Sequence, residues 1–160
     1  MKTKKMIYRI SILIFMIDQI IKLWIIHNMH LYQVIPIITN FFSLCYVKNT
    51  GAAFSILENN TILLIIISTI FLFFLNHYIY KETKFSTLLI LSLGLLQGGI
   101  LGNLSDRMFY HEVIDYLSFV IFRYDFPIFN FADAAIDIGV FLFIVDFILE
   151  KRKEEKNGTL

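Results

Sequence analysis

Residues 61–80 read TILLIIISTIFLFFLNHYIY and contain no aspartate, glutamate, lysine or arginine. A helix of about 20 predominantly apolar residues spans the roughly 30 Å hydrocarbon core of a bilayer. The composition agrees, because 58% of the chain is hydrophobic, whereas soluble domains are usually about 45–50% apolar. The stretch therefore predicts a transmembrane helix.

Three further segments are long and apolar enough to be predicted as spans: residues 6–26, 87–104 and 134–149. The first has the basic start of a signal peptide, but it lacks a small-residue cleavage site and is interrupted by Asp18 and Lys22. We expect it to be a permanent helix. The expected fold class is an all-α membrane protein with four transmembrane helices. Residues 1–150 would form one polytopic domain and residues 151–160 a charged cytoplasmic tail.

Basic residues are unevenly distributed between the two sides of the predicted helices. The N-terminus, the connection between the second and third spans and the C-terminal tail carry most of them. The two longer connections hold only Lys48, Arg107 and Arg123. Because cytoplasmic segments are enriched in lysine and arginine, both termini are expected in the cytoplasm. Residues 27–60 and 105–133 are then expected on the outer side.

The longer connections are apolar and aromatic rather than polar. Residues 34–38 read VIPII and residues 41–47 read FFSLCYV, so β-branched and aromatic residues dominate. This composition favours short strands. We expect a small extracytoplasmic β-rich cradle at the membrane interface, where aromatic rings are favoured. Cys45 is the only cysteine, so no intramolecular disulfide can form, and it is expected to pack as a small apolar residue.

Asp115 and Asp133 each lie in a strongly apolar stretch immediately outside a predicted span. A desolvated carboxylate needs a partner, a proton or a function. Two neighbouring carboxyls share a proton near neutral pH. One can then take a proton from water while the other donates one to a peptide carbonyl or leaving amine, which hydrolyses a peptide without a covalent intermediate. The alternative is structural: Asp133 caps the fourth helix, and Asp115 pairs with Arg107 or Arg123.

Two further polar pairs lie one helical turn apart. Asp18 and Lys22 share a face of the first helix, where mutual neutralisation is the simplest prediction and substrate contact the alternative. Asn103 and Arg107 share a face at the outer end of the third helix. Arg107 could hold a carbonyl or carboxylate at the water boundary, or it could simply pair with the neighbouring Asp106. The spacing leaves both alternatives open.

Glycine recurs at every fourth position of the third predicted span, and its main expected role is close helix packing. These glycines are Gly94, Gly98 and Gly102, with Gly99 beside them.

Metal chemistry is weakly indicated. Residues 111–115 read HEVID, in which the second histidine of a zinc-protease helix is missing. His27 and His30 are expected to be a polar pair at a helix end. The chain also lacks Ser-x-x-Lys and Gly-x-Ser-x-Gly motifs, which weakens a serine-nucleophile mechanism.

Five sequence blocks, in order along the chain, resemble those of the bacterial lipoprotein signal peptidases, also called signal peptidase II. They cover most of the chain, and together they are highly specific. The blocks are DQIIK at residues 18–22, NTGAAF at 49–54, GGILGNLSDR at 98–107, VIDY at 113–116 and FPIFNFAD at 126–133.

The resemblance implies a membrane aspartyl endopeptidase that removes signal peptides from diacylglyceryl-modified prolipoproteins, cutting before the lipidated cysteine. Asp115 and Asp133 would be the catalytic dyad. Besides the prolipoprotein substrate, the expected partners are membrane lipids, and no nucleic acid is expected. The enzyme would be a monomer in the bacterial plasma membrane, with its active site on the outer face. Neither a metal nor an organic cofactor is implied. By position, Asn49, Asn103, Arg107 and Asn130 would bind substrate or the aspartates, and Asp18, Lys22, Gly51 and Gly102 would be motif residues with a more structural role.

Departures from the family pattern are small. Ala134 stands where serine is common after the second aspartate, and Tyr116 where phenylalanine is common.

Two rival functions are a small proton-coupled carrier with acidic relay residues, including Asp18, and a scaffold subunit with structural acids. Against the carrier, both dyad residues are expected at helix ends rather than mid-bilayer, and no inverted repeat is visible. A scaffold would tolerate Asp→Asn changes that a catalytic dyad cannot.

Overall fold

The computed structural model describes residues 2–51 and 57–156. The described chain is mostly helical, with one small antiparallel sheet assembled from the connections between helices. Its elements are α1 (Lys2–Asn28), β1 (Val34–Ile38), β2 (Phe42–Asn49), α2 (Thr61–Lys81), α3 (Thr87–Tyr110), β3 (Val113–Ile121), β4 (Tyr124–Asp125) and α4 (Phe131–Lys156).

Among the described residues, α1, α2 and α3 are the three helices long and apolar enough to cross a membrane. Each contains its predicted span. The fourth predicted span, residues 134–149, is also helical, but three aspartates interrupt the apolar run of α4, and its crossing of the bilayer stays a prediction. The helix continues to Lys156, so the first part of the predicted charged tail is helical. The interrupting aspartates are Asp133, Asp137 and Asp146.

The glycines of α3 let two neighbouring helices approach it closely. A Cβ atom added to Gly98 would lie 2.7 Å from Cβ of Ile14 in α1, and one added to Gly99 would lie 2.8 Å from Cγ1 of Ile136 in α4. Gly102 faces both helices, since its added Cβ would collide with Asp18 and lie 3.2 Å from Cβ of Ala132. The small-residue positions therefore place α3 between α1 and α4, as the packing prediction required.

The sheet has the strand order β1-β2-β3-β4 with all neighbours antiparallel. The strands expected in residues 34–38 and 41–47 are present, and Cys45 is buried in β2. Apolar side chains from the end of α1 and from β2 and β3 form one cluster, which seats the sheet against the helices. That cluster consists of Ile25, Met29, Tyr46, Ile114 and Tyr116.

The sheet register places the candidate acid beside the helix ends. Asp115 lies on β3 opposite Val47 of β2, next to an irregularity in the β2–β3 pairing. Leu117 pairs with Phe129 in an isolated bridge, so the chain leading into α4 runs along β3. Residues 52–54 of the predicted NTGAAF block lie outside the described residues.

Candidate active site

Asp133 is the third residue of α4, and Asn130 immediately precedes the helix. The two residues bond reciprocally: Asp133 N donates to Asn130 Oδ1 over 2.9 Å, and Asn130 N donates to Asp133 Oδ2 over 3.1 Å. This is the arrangement of a capping box. The structural alternative for Asp133 is thus partly correct, because Asn130 is the cap and Asp133 completes the motif.

All three backbone N–H groups of residues 131–133 donate to side chains. The first donates to the hydroxyl of Tyr116 over 3.1 Å, and the second donates to Oδ1 of Asp18 over 3.1 Å. The third is the bond to Asn130. Side chains of α1 and β3 therefore hold the first turn of α4, and the phenolic oxygen of Tyr116 makes a contact that phenylalanine could not make.

Two asparagine amides connect the two aspartates. Asn130 Nδ2 donates to Oδ1 of Asp115 over 2.7 Å and to Oδ1 of Asn103 over 3.1 Å. Asn103 Nδ2 in turn donates to Oδ1 of Asp133 over 2.7 Å. The two candidate acids, which lie on different elements, thus belong to one hydrogen-bonded unit.

The second oxygen of Asp115 is held from β2. Asn49 Nδ2 donates to Asp115 Oδ2 over 2.8 Å, while Asn49 Oδ1 accepts from Gly51 N over 2.9 Å and fixes the amide orientation. Asp115 therefore accepts from two amides, and the described part of the chain gives it no ion pair with Arg107 or Arg123. The structural alternative for Asp115 is wrong, because amide donors replace the expected arginine.

Asp115 is 3% exposed, and its surroundings disfavour the ionised form. Burial, together with the negative charge of Asp133, raises the pKa of Asp115 to about 7, although the bonds from Asn49 and Asn130 oppose the rise. The carboxyl of Asp115 therefore gains and loses its proton near neutral pH, within electrostatic reach of a second carboxyl on α4.

Arg107 lies in the same site but makes no pair with its neighbour Asp106. Its Nη2 donates to the carbonyl of Gly51 over 2.9 Å, and its Nη1 lies 3.5 Å from the carbonyl of Asn103. The guanidinium therefore holds the turn after β2 beside the acids. Sequence reasoning left its partner open because helical spacing says nothing about a loop distant in the chain.

Asp106 instead completes a buried ion-pair network around Lys22. The Lys22 ammonium lies 2.9 Å from Oδ2 of Asp18 and 2.8 Å from Oδ2 of Asp106, and all three side chains are at most 2% exposed. The predicted Asp18–Lys22 pair is confirmed. The part of Asp106 was missed, although its position three residues after Asn103 puts both residues on one face of α3.

Two cavities meet at Asp115. One of about 510 Å³ is mainly apolar and is lined by Arg107, Asp115 and Asp133 together with residues 126–129 and part of α4. The other, of about 300 Å³, is more polar and includes Lys48, Thr50 and Glu58. Residues 2–51 and 57–156 contain no cluster of three or more histidine, cysteine, aspartate or glutamate side chains placed to hold a metal ion. The two cavities share Asn49, Asp115, Pro127 and Ile128.

Residues 10–149 match the family described as "Signal peptidase (SPase) II". This range contains every residue of the site. The chain belongs to the signal peptidase II family. It is therefore a member of a peptidase family, and its apolar helices fit a multi-pass membrane protein of that family.

Two solved structures, each described as a bacterial membrane enzyme studied by the in meso method, share this fold. One, at 2.3 Å resolution, is 33% identical with a TM-score of 0.83, and the match covers 92% of this chain and 88% of that chain. The other, at 1.9 Å, is 34% identical with a TM-score of 0.78, and the match covers 86% of this chain and 89% of that chain. The resemblance to signal peptidase II expected from the sequence blocks is confirmed.

Proposed function

We propose that this protein is an aspartyl endopeptidase that removes signal peptides from diacylglyceryl-modified prolipoproteins by cutting before the lipidated cysteine. The observation that carries the proposal is the pair Asp115 and Asp133, joined through Asn130 and Asn103 at the edge of an apolar cavity. Membership of the signal peptidase II family favours this function over a carrier or a scaffold.

In the proposed mechanism, Asp133 is the base and Asp115 the acid. Asp133 lies in the first turn of α4, where the helix dipole stabilises negative charge, and it accepts two hydrogen bonds. Water attacks the scissile carbonyl carbon, its proton passes to Asp133, and Asp115 protonates the carbonyl oxygen. The carbon–nitrogen bond then breaks as the leaving amine takes the proton from Asp133, and the new carboxyl group returns a proton to Asp115.

The two cavities suggest how the substrate crosses the dyad. The apolar cavity includes Ala134, Ile136 and Ile138 of α4, and its lining suits the apolar signal peptide or the acyl chains. The polar cavity on the other side of Asp115 suits the hydrophilic start of the mature lipoprotein. A chain lying across both cavities would present its scissile bond to the acids.

The proposed disposition in the membrane follows from charge and polarity. The ends of α1 and α3 that meet the sheet carry the site, while the opposite ends carry most basic residues. We therefore place both termini in the cytoplasm, the sheet and the site outside, and α4 across the bilayer as a fourth span. The acids would then lie at the surface where a lipid-anchored substrate arrives from within the membrane.

Cleavage of a diacylglyceryl-modified prolipoprotein by purified protein in detergent tests the function. We expect cleavage of the lipidated precursor at the bond before the modified cysteine, and at least about 100-fold slower cleavage of the unlipidated precursor, since lost anchoring also costs orientation. Mass spectrometry of both products checks the position of the cut. A folded protein that leaves the lipidated precursor intact would contradict the proposal.

The pH dependence of kcat/KM tests the role of Asp115. A carboxyl with a pKa of about 7 is protonated below that pH and loses its proton above it. Because the mechanism needs protonated Asp115, we expect kcat/KM to fall about tenfold per pH unit on the alkaline side. A profile that stays flat from about pH 6 to about pH 9, where a general acid of this kind would titrate, would argue against Asp115 as the acid.

A further inference from the structure

Lys22 uses its buried ammonium for three directed contacts. It lies 2.9 Å from Oδ2 of Asp18, 2.8 Å from Oδ2 of Asp106 and 2.9 Å from Oδ1 of Asn103. An ammonium has three N–H donors, so these acceptors can satisfy it completely. The two carboxylates compensate its charge, and the third donor remains for a neutral amide.

That amide is the one that bonds to the dyad. Asn103 Oδ1 accepts from Lys22 and from Asn130, which leaves Nδ2 to donate to Asp133 over 2.7 Å. If the amide rotated by half a turn, its oxygen would face the carboxylate of Asp133 and its NH₂ group would face the ammonium. Both contacts would be repulsive, so Lys22 makes one orientation strongly favoured.

We propose that Lys22 is a positioning residue for catalysis, which orients the Asn103 amide so that it holds Asp133 as the ionised, water-activating carboxylate. This inference rests on the proposed peptidase function and extends it to a residue of α1 that lines neither cavity. Asp18 and Asp106 hold the Lys22 ammonium in place. Asn103 accepts from that ammonium and donates to Asp133, so it links Lys22 to the dyad.

Lys22→Met removes the ammonium, so only the Asn130 amide still orients the Asn103 side chain. We expect kcat to fall about 100-fold, the cost of misplacing a reacting group by about an ångström, with KM within about twofold because Lys22 lines neither substrate cavity. The acid limb of the kcat profile is expected to move to higher pH, because Asp133 then loses both the nearby positive charge of Lys22 and the Asn103 donor, which favour its ionised form.

Other charged groups around Asp133 stay in place in this variant. They are Arg107 of α3, Asp115 of β3 and Asp137 of α4, while Asp18 and Asp106 lie against residue 22 itself.

Asp146→Asn is the matched control. It changes a buried acid of α4 that bonds to the Ser86 hydroxyl, outside the Lys22 network, and it leaves the Lys22–Asn103 bond intact. We expect the wild-type kcat and pH profile. If Lys22→Met kept the wild-type kcat and acid limb, or if both variants shifted the profile equally, the positioning role would be overturned.

A second variant covers the case in which Lys22→Met does not fold. Asp18→Asn/Lys22→Met/Asp106→Asn replaces the whole charged network by neutral groups of similar size, a change that buried ion pairs often tolerate. A reduced kcat with a shifted acid limb supports the proposal, and a wild-type profile rejects it. Cleavage of the lipidated precursor by the wild type is measured in parallel, so failure of the peptidase function itself is seen separately.

Discussion

Asp133→Asn and Asp115→Asn are each expected to lower the rate of prolipoprotein cleavage by roughly 10²–10⁴-fold, the usual contribution of a general acid or base. An amide at residue 133 cannot take a proton from water. An amide at residue 115 cannot protonate the carbonyl oxygen of the scissile bond. The loss should appear in kcat at saturating lipidated substrate, since binding in the cavities does not require either proton.

Both variants are expected to fold, because asparagine has nearly the same shape as aspartate. Each substitution also removes a carboxylate charge, buried at Asp115 and partly buried at Asp133, which relieves its desolvation. The thermal midpoint of purified protein in detergent should therefore remain close to that of the wild type. A loss of activity can then be attributed to the missing proton transfer.

Matched controls exist on the same elements. Asp125→Asn changes an exposed acid on β4, in the same sheet as Asp115. Asp146→Asn changes a buried acid of α4 that bonds to the Ser86 hydroxyl, far along the helix from Asp133. We expect both controls to keep wild-type kcat. Substantial turnover by either dyad variant would contradict the catalytic assignment.

The helices could be predicted from the sequence because their signal is local. A run such as residues 61–80 is apolar throughout, and length alone decides that it can span a bilayer. The strands of the cradle could be predicted for a similar reason, since β-branched and aromatic residues are enriched in strands. The spacing of Gly98 and Gly102 also predicted a close helix contact, although it did not predict which helix makes that contact.

The partners within the site could not be predicted, because they join elements that are distant in the chain. Asp106 has Arg107 as its sequence neighbour, yet its carboxylate faces Lys22, 84 positions earlier. Helical spacing gives the face of a residue but not the element packed on that face. The register of β2 and β3 similarly decides that Asn49 reaches Asp115, and no local pattern specifies that register.

Asn130 offers a sharp test of the connection between the acids. Asn130→Ser keeps an oxygen that can cap α4, but it removes the Nδ2 donor to Asp115 and Asn103. We expect kcat to fall roughly 10³-fold, because misplacing one reacting group costs about 10²-fold. Asp115 loses a donor directly, and Asn103, which donates to Asp133, loses one of the two donors that orient it. The measurement is single-turnover cleavage of the lipidated precursor.

Asn130→Ala separates the cap from the catalytic link. Alanine removes both functions of Asn130, so it should lose about the same activity as Asn130→Ser but about 1 kcal/mol more stability, the usual cost of a missing cap. If Asn130→Ser retained activity while Asn130→Ala lost it, the residue would matter only by starting α4. Equally reduced activities with unequal melting temperatures would instead mean that the Asn130 amide, which is fully buried, holds Asp115 and Asp133 in their working geometry.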